Sequence, residues 1–464
     1  MSWCYRLEKL AGAIGAEAPG SPVAFERVST DSRRIEAGAV FFALSGERFD
    51  GNAFVGDAFA CGACAAVTNV ACAGGPCLVV ADPLEALQQF AAWHRQRYAI
   101  PVLAVTGSCG KTTAKDLTSA LLESRFAVAK TPGNLNNEIG CPLSLLQIGD
   151  DTGMAVIEMG ANHEGEIAGL CALAAPTESA ITMIAAAHLE GFGSIENVAK
   201  AKAEIVEGLP GDGVFYVNAE DEWCVRIAER FEGEKVFFGR GGDVVLEEYA
   251  VVGPGEARLR VAPVGTLSLP LACRAHATNV LLAIAVGLRH GVTEFEGPLR
   301  AACAAASRFK VRRVGPLVVM DDSYNANPRS MAAALEALAE WPGGGTRIAA
   351  LGEMLELGEA SGDLHRQIGE TAGALGIAHV FAMGPHASDV IAGCRSRRLG
   401  SRLSAGARRS QGSPHAEIFD DPGAMAEAIC AAAGRDGLVL VKGSRGIRME
   451  RVIEALEERL KVEG

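Results

Sequence analysis

No apolar stretch in this 464-residue chain is long enough to cross a bilayer; the longest, "VLLAIAVGL" at 280–288, covers less than half the required length. The opening "MSWCYRLEKLAGAIGAEAPG" carries Arg6, Glu8 and Lys9 and lacks a sustained apolar core followed by a cleavage site, so a cytoplasmic protein without a membrane span is expected. Positive charge is also in deficit. With 43 basic against 56 acidic residues the net charge is −13, which repels a polyanion. The one basic cluster, "RSRRLGSRLSAGARRS" at 395–410, contains no aromatic residue to stack on bases and reads as a solvated loop. No nucleic-acid partner is expected.

Thirteen cysteines are scattered without a disulfide framework, and their odd number in a chain without a signal peptide argues for reduced thiols. Cys61, Cys64, Cys72 and Cys77 invite a zinc reading, but they lie among Ala and Gly in "CGACAAVTNVACAGGPC", where small buried cysteines are common. The length implies two or three domains. Three blocks emerge, with boundaries at 1–98, 99–313 and 314–464. The first has short strand-like runs, "AVFFAL" and "CLVVA", and reads as a small α/β unit. The second alternates "PVLAVTG", "MAVIEMG", "SAITMI" and "GVFYVNAED" with helical segments, which predicts a mainly parallel sheet covered by helices. The third repeats the pattern with "LVVMDD", "RIAALGE", "HVFAMG" and "LVLVKGS", a second, Rossmann-like doubly wound sheet. No GxGxxG follows its first strand, so a dinucleotide site there is unsupported.

Within the second block stands "PVLAVTGSCGKTTAKD". An ordinary phosphate loop has four residues between its first glycine and the Gly-Lys pair, whereas only Ser108 and Cys109 separate Gly107 from Gly110. Strand, glycine turn and helix nevertheless follow in order. They offer backbone N–H groups at a positive helix end, Lys111 beside them, and Thr112 placed to hold Mg2+ with Thr113 next to it. A plain strand-to-helix turn explains the glycines but not the Lys-Thr-Thr. Glu158 ends the run "MAVIEMG" and His188 follows the next strand, at the strand ends where open α/β sheets bind ligands. Singly, either is an ordinary surface or core residue; beside a phosphate loop they become candidate ligands for Mg2+ or Mn2+. Lys202 falls inside the apolar helical stripe of Ile195, Val198, Ile205, Val206 and Leu209. Its stem could pack while its ammonium snorkels out, or its amine could be carbamylated into an anionic metal ligand, and the residues alone leave these readings even.

The runs "TGSCGKTTAKD", "TPGNLNNEIGCPLSLL", "IEMGANHEGEI", "ITMIAAAHLEGFGSIENVAKAKAEI", "DDSYNANPRSM", "LGEMLELG" and "VLVKGSRGIRME" together resemble the Mur ligases of peptidoglycan synthesis. The resemblance extends from "STDSRRI" nearly to residue 457, and the short TGxxGKTT loop is that family's own form. "DDSYNANP" and "LGEMLELG" resemble the branch that adds D-alanyl-D-alanine to UDP-N-acetylmuramoyl-tripeptide, rather than the tripeptide-forming branch. A folylpolyglutamate synthase generally lacks the "STDSRRI" block, and a nucleotide-regulated binding protein would have no use for the intact set Lys111, Glu158, His188 and Lys202.

The resemblance implies a monomeric ATP-dependent ligase of three domains, using Mg2+ and a carbamylated Lys202. It implies that Gly107, Ser108, Cys109, Gly110, Lys111, Thr112 and Thr113 bind ATP, and that Thr112, Glu158, His188 and Lys202 serve the metal. It also implies phosphate contact by Arg308, ribose contact by Asp322, and nucleotide or dipeptide contacts by Asn325 and Asn327. Asp31, Ser32, Arg33 and Asn52 resemble elements around the UDP-sugar. The family usually places a histidine four residues before the asparagine of an Ala-rich helix; here Ala275 takes that place and His276 stands one step later, before Asn279.

Overall fold

The computed structural model describes residues 3–462 except 21, 47–48, 254, 306–308, 397–413 and 435. The basic cluster at 395–410 therefore lies almost wholly outside the described residues. Among the described residues, no helix is long and apolar enough to cross a membrane.

The central sheet has six parallel strands in the order Val128–Lys130, Met154–Glu158, Val102–Thr106, Glu178–Ile181, Val214–Asn218 and Glu234–Phe238. Its four inner strands are buried along their whole length. That burial is why they appear in the sequence as continuous apolar runs and not as alternating ones. Alternate side chains nevertheless feed two different cores. Val102, Ala104, Ala155, Ile157, Phe215 and Val217 face one way, against helices Glu166–Ala174 and Ile195–Glu207. Leu103, Val105, Met154, Val156, Val214 and Tyr216 face the other, against helices Lys111–Leu122 and Ala277–Arg289.

The first of those cores does not stop at residue 98. Trp3, Leu7, Leu10, Phe25, Leu87 and Phe90 belong to the same continuous cluster. Polar contacts reinforce it: Trp3 Nε1 donates to the Leu146 carbonyl at 2.8 Å and Arg95 Nε to the Ala174 carbonyl at 2.9 Å. The N-terminal block has its own four-stranded parallel sheet, Val28–Ser29, Val40–Phe42, Ala65–Thr68 and Cys77–Val79. Its outer face packs separately through Phe41, Val55 and Ala58.

Uniformly reduced thiols are not what the structure holds. The chain between the last two strands of that sheet brings Cys72 and Cys77 together, and they are bonded to each other. Cys61 and Cys64 remain free, and no group of three or more His, Cys, Asp or Glu that could hold a metal occurs among the described residues.

The C-terminal sheet runs Lys310–Val314, Leu317–Asp322, Leu438–Lys442, Arg347–Leu351, His379–Ala382 and His415–Ile418, with only the first strand antiparallel. Cores on both faces, one including Met320, Ala349 and Leu440 and the other Val319, Ile348 and Val439, give the doubly wound architecture expected for the third block. A three-stranded antiparallel meander, Val245–Gly253, Glu256–Ala262 and Gly265–Leu269, was not anticipated. It packs one side of each strand, Ala257, Leu259 and Val261 among them, onto the core beneath the helix Ala277–Arg289.

Leu440 is fully buried in the middle of the C-terminal sheet. Leu440→Ala should destabilise that part of the chain by roughly 2–5 kcal/mol, read as a lower urea midpoint for its unfolding.

Candidate active site

The register of the central sheet sets the site. Glu158 pairs with Val105, and Ile181 pairs with Thr106 on the other side, so the carboxyl ends of three neighbouring strands open at one level. The phosphate loop leaves the middle strand there. Gly107 has φ +147° and Gly110 has φ +85°; a Cβ on the first would lie 1.9 Å from Thr182 Oγ1 and on the second 2.6 Å from Asn279 Oδ1. Both positions therefore need glycine for space as well as for backbone angle. Ser108 N–H donates to the Met183 carbonyl at 2.8 Å, and Ser108 Oγ exchanges hydrogen bonds with the backbone of Ala185 at 3.0 Å. Lys111 opens the helix and its ammonium donates to the Gly107 carbonyl at 2.8 Å. The loop is thus pinned to the next strand's end while its helix N-terminus stays directed at the cavity.

Glu158 is 1 % exposed. Its backbone N–H donates to Thr131 Oγ1 at 2.9 Å, and its Oε1 accepts from Asn136 Nδ2 at 2.7 Å and from Thr112 Oγ1 at 3.3 Å. Oε2 is buried without a hydrogen-bond partner. A buried carboxylate oxygen left open in this way is costly unless a cation meets it. With the Thr112 hydroxyl alongside, this donor set fits Mg2+, which takes few protein oxygens and relies on substrate phosphates for the rest.

Lys202, on the helix Ile195–Glu207, is 1 % exposed and forms no hydrogen bond or ion pair among the described residues. Burial, with the Lys111 charge nearby, draws its ammonium down to about 7. The snorkelling reading of this side chain is thereby set aside: the amine stays inside. His188 has φ +54°, and its Nδ1 meets the Glu356 carboxylate; burial lowers its pKa below the ordinary histidine value.

A cavity of about 1260 Å³ joins these groups to the C-terminal domain. Its walls include Ser108 to Thr113, Glu158, His188, Asn279, Asp322, Asn325 and Asn327, so most residues singled out from the sequence converge here. Gly107 and Lys202 lie behind the wall. Asn327 caps the helix Pro328–Glu340 and reaches Cys109 Sγ with its Nδ2 at 2.9 Å, a contact between the two domains. Asp322 is held by the buried Lys442, whose ammonium also donates to the Asn325 carbonyl at 2.9 Å. His276 lines the same cavity and rests edge-on against the Phe309 ring. Arg308 lies outside the described residues. Asp31, Ser32, Arg33 and Asn52 are not part of this cavity. Asp31 binds the Arg33 guanidinium through both oxygens at 2.8 and 2.9 Å, and Asn52 bridges Asp50 and Asn69 at 2.7 Å to each.

Three Mur ligase patterns match this chain in sequence order: the family's catalytic domain at 24–93, its middle domain at 105–287 and its glutamate ligase domain at 307–445. The UDP-N-acetylmuramoyl-tripeptide--D-alanyl-D-alanine ligase of Escherichia coli K12 is 36% identical to it, over 97% of this chain and 98% of that one. The chain belongs to the Mur ligase family. The similarly named ligase of Bacillus subtilis 168 is 32% identical over 93% of each chain. A crystal structure of MurF from Acinetobacter baumannii superposes on this Mur ligase with a TM-score of 0.86 at 30% identity, covering 98% of this chain and 99% of that one. MurF ligase from Thermotoga maritima, solved in complex with ADP, gives 0.82 at 29% identity, covering 94% and 98%.

Several site residues of this Mur ligase escaped the sequence reading. Thr182 donates to the Cys109 carbonyl, Asn136 holds Glu158, Lys442 holds Asp322, and Glu356 meets His188. Lys442 had a signal: a lysine closing the fully apolar run "LVLV" is as anomalous as Lys202. Asn136 and Glu356 lie inside the quoted family runs but gave no individual sign.

Because the folded pKa of Lys202 is depressed, the unfolded chain binds the extra proton between about 7 and the ordinary lysine value, and stability rises with pH across that window. In buffer purged of CO2, Lys202→Met should be more stable than wild type below pH 7. The difference should shrink as pH climbs toward 10, measured by urea unfolding at each pH.

Proposed function

We propose that this Mur ligase uses ATP to join the amine of D-alanyl-D-alanine to the peptide carboxylate of UDP-N-acetylmuramoyl-tripeptide, through an acyl phosphate. The observation that carries the reading is a phosphate loop and a buried carboxylate with one open oxygen, facing "DDSYNANP" across a single cavity. The named ligases of similar sequence and length supply the substrate class. The proposed division into three domains at 1–98, 99–313 and 314–464 draws support from the order of the three matched segments, although the third begins at 307, ahead of the last boundary.

In this scheme the loop N–H groups and Lys111 bind the β- and γ-phosphates. Thr112, Glu158, His188 and the carbamylated Lys202 would hold Mg2+, which would neutralise phosphate charge and polarise the γ-phosphoryl oxygens. The peptide carboxylate attacks the γ-phosphorus and ADP departs with the bond electrons, leaving an acyl phosphate. The dipeptide amine then attacks the acyl carbon, and inorganic phosphate leaves the tetrahedral intermediate as the amide forms. Lys111 counters the charge that collects when anion approaches anion. The packing of Asn327 on Cys109 and Glu356 on His188 draws the C-terminal domain over the loop, where exclusion of water protects the acyl phosphate. Asn279 contacts ATP, Asp322 meets its ribose, Asn325 and Asn327 contact the nucleotide or the dipeptide, and Asp31, Ser32, Arg33 and Asn52 bind the UDP-sugar.

Carbamylation of Lys202 is part of this proposal. Addition of CO2 requires a neutral amine, and a lysine pulled down to about 7 supplies one near neutral pH. The resulting anion would relieve the apposition of two ammonium groups at Lys111 and Lys202. As proposed here the enzyme acts as a monomer, in the cytoplasm where nucleotide sugars and ATP are at hand.

ATP turnover to ADP and phosphate should require both UDP-N-acetylmuramoyl-tripeptide and D-alanyl-D-alanine. A phosphate-release assay that instead favours a single amino acid over the dipeptide would move the enzyme to the tripeptide-forming branch. Lys202→Ala should lose nearly all activity, and short carboxylic acids should restore part of it in a Mg2+-dependent way. A fully active Lys202→Ala enzyme would remove the carbamate from the scheme.

A further inference from the structure

Lys115 stands one helical turn beyond Lys111, is 2 % exposed, and does not line the cavity. A lysine so deeply buried needs partners for its ammonium. It has three: the Thr131 carbonyl at 2.7 Å, the Gly133 carbonyl at 3.1 Å, and Asp116 Oδ1 at 3.2 Å. The two carbonyls belong to the segment between strand Val128–Lys130 and helix Gly140–Leu145. That segment grips Glu158 from both of its ends. Thr131 Oγ1 accepts the Glu158 N–H at 2.9 Å, and Asn136 Nδ2 donates to Glu158 Oε1 at 2.7 Å. The Asn136 carbonyl also accepts the Gly160 N–H at 2.8 Å, just past the carboxylate.

We infer that Lys115 is a positioning residue for the metal: by tying the 131–136 segment to the phosphate-loop helix, it keeps Glu158 Oε1 engaged and Oε2 open, and so sets the affinity for the divalent cation. Thr131 is buried whereas Pro132 to Leu135 are exposed, so the ammonium holds the segment most firmly at its Thr131 end, through the shorter of the two carbonyl contacts. Without the ammonium, the segment gains freedom at the end that carries Thr131, and the carboxylate loses its fixed rotamer. Phosphate binding by the loop N–H groups and Lys111 does not pass through this segment. Lys115 therefore acts on the metal more than on the nucleotide. The inference rests on the assignment of Glu158 as a Mg2+ ligand.

The test titrates Mn2+ into the full-length protein with ADP, following free Mn2+ by electron paramagnetic resonance, and measures metal-free ADP binding by calorimetry in EDTA. Lys115→Met keeps the stem and removes the charge. It should weaken Mn2+ binding roughly tenfold, the lower end of what loss of an outer-shell partner does, with metal-free ADP affinity changed by less than about twofold. In turnover it should raise the Mg2+ concentration for half-maximal rate and leave kcat at saturating Mg2+ near wild type. A purely structural role would lower the unfolding midpoint and leave the Mn2+ affinity of the folded protein unchanged. That result, or an equal loss of Mn2+ and metal-free ADP binding, would overturn the inference. If Lys115→Met does not fold, Lys115→Gln, whose amide keeps donors at shorter reach, carries the same expectation and the same overturning result. Wild-type protein that binds no Mn2+ with ADP would instead sink the Glu158 assignment, which separates the two failures.

Discussion

Glu158 is a carboxylate taken out of water with only one of its oxygens hydrogen-bonded, and the architecture around it follows from that constraint. An open buried oxygen persists only where the surrounding chain over-determines its position. Thr112 ties it to the phosphate loop, Asn136 and Thr131 tie it to the neighbouring strand's exit, and the parallel register sets all three at the same level. The same low-dielectric surroundings hold Lys202 without an ion pair among the described residues, and burial pulls its proton affinity down. Negative and positive charge are therefore both left incomplete within the central domain.

The seam between central and C-terminal domains is polar and narrow at the site. Cys109 meets Asn327, and His188 meets Glu356 while the Glu356 carbonyl accepts the Glu190 N–H at 3.1 Å. Contacts of this kind are geometrically demanding but individually worth about 1 kcal/mol, so they orient the domains without locking them. The N-terminal block is joined differently. Its helix Pro83–Arg95 buries Leu87 and Phe90 in the core of the central domain, a seam of continuous apolar packing. The central domain thus has an extensively packed neighbour on one side and one met through a few polar contacts at the site on the other.

Burial also explains what could be read in advance. The inner strands of both large sheets are covered on both faces, so "PVLAVTG", "MAVIEMG", "LVVMDD" and "LVLVKGS" announced themselves as unbroken apolar runs. The meander strand "EARLRVA" is wet on one face, and its alternating residues were diluted by charge. Cys72 and Cys77 show the same limit from another side, since nothing in their spacing distinguished a bonded pair from two thiols.

The sequence alone determined the α/β class, the order of strand, glycine turn and helix around Lys111, and the anomaly of Lys202, because each is a local pattern of residue types. Its family runs pointed to the Mur ligases before any contact was known. Only the tertiary structure decided that Glu158 keeps one oxygen open, that Lys442 holds Asp322, that Glu356 reaches His188, and that Lys115 braces the segment around the carboxylate. Each of these joins residues from separate strands, helices or domains, and whether a lysine or a carboxylate ends up solvated or enclosed depends on what the rest of the chain packs against it.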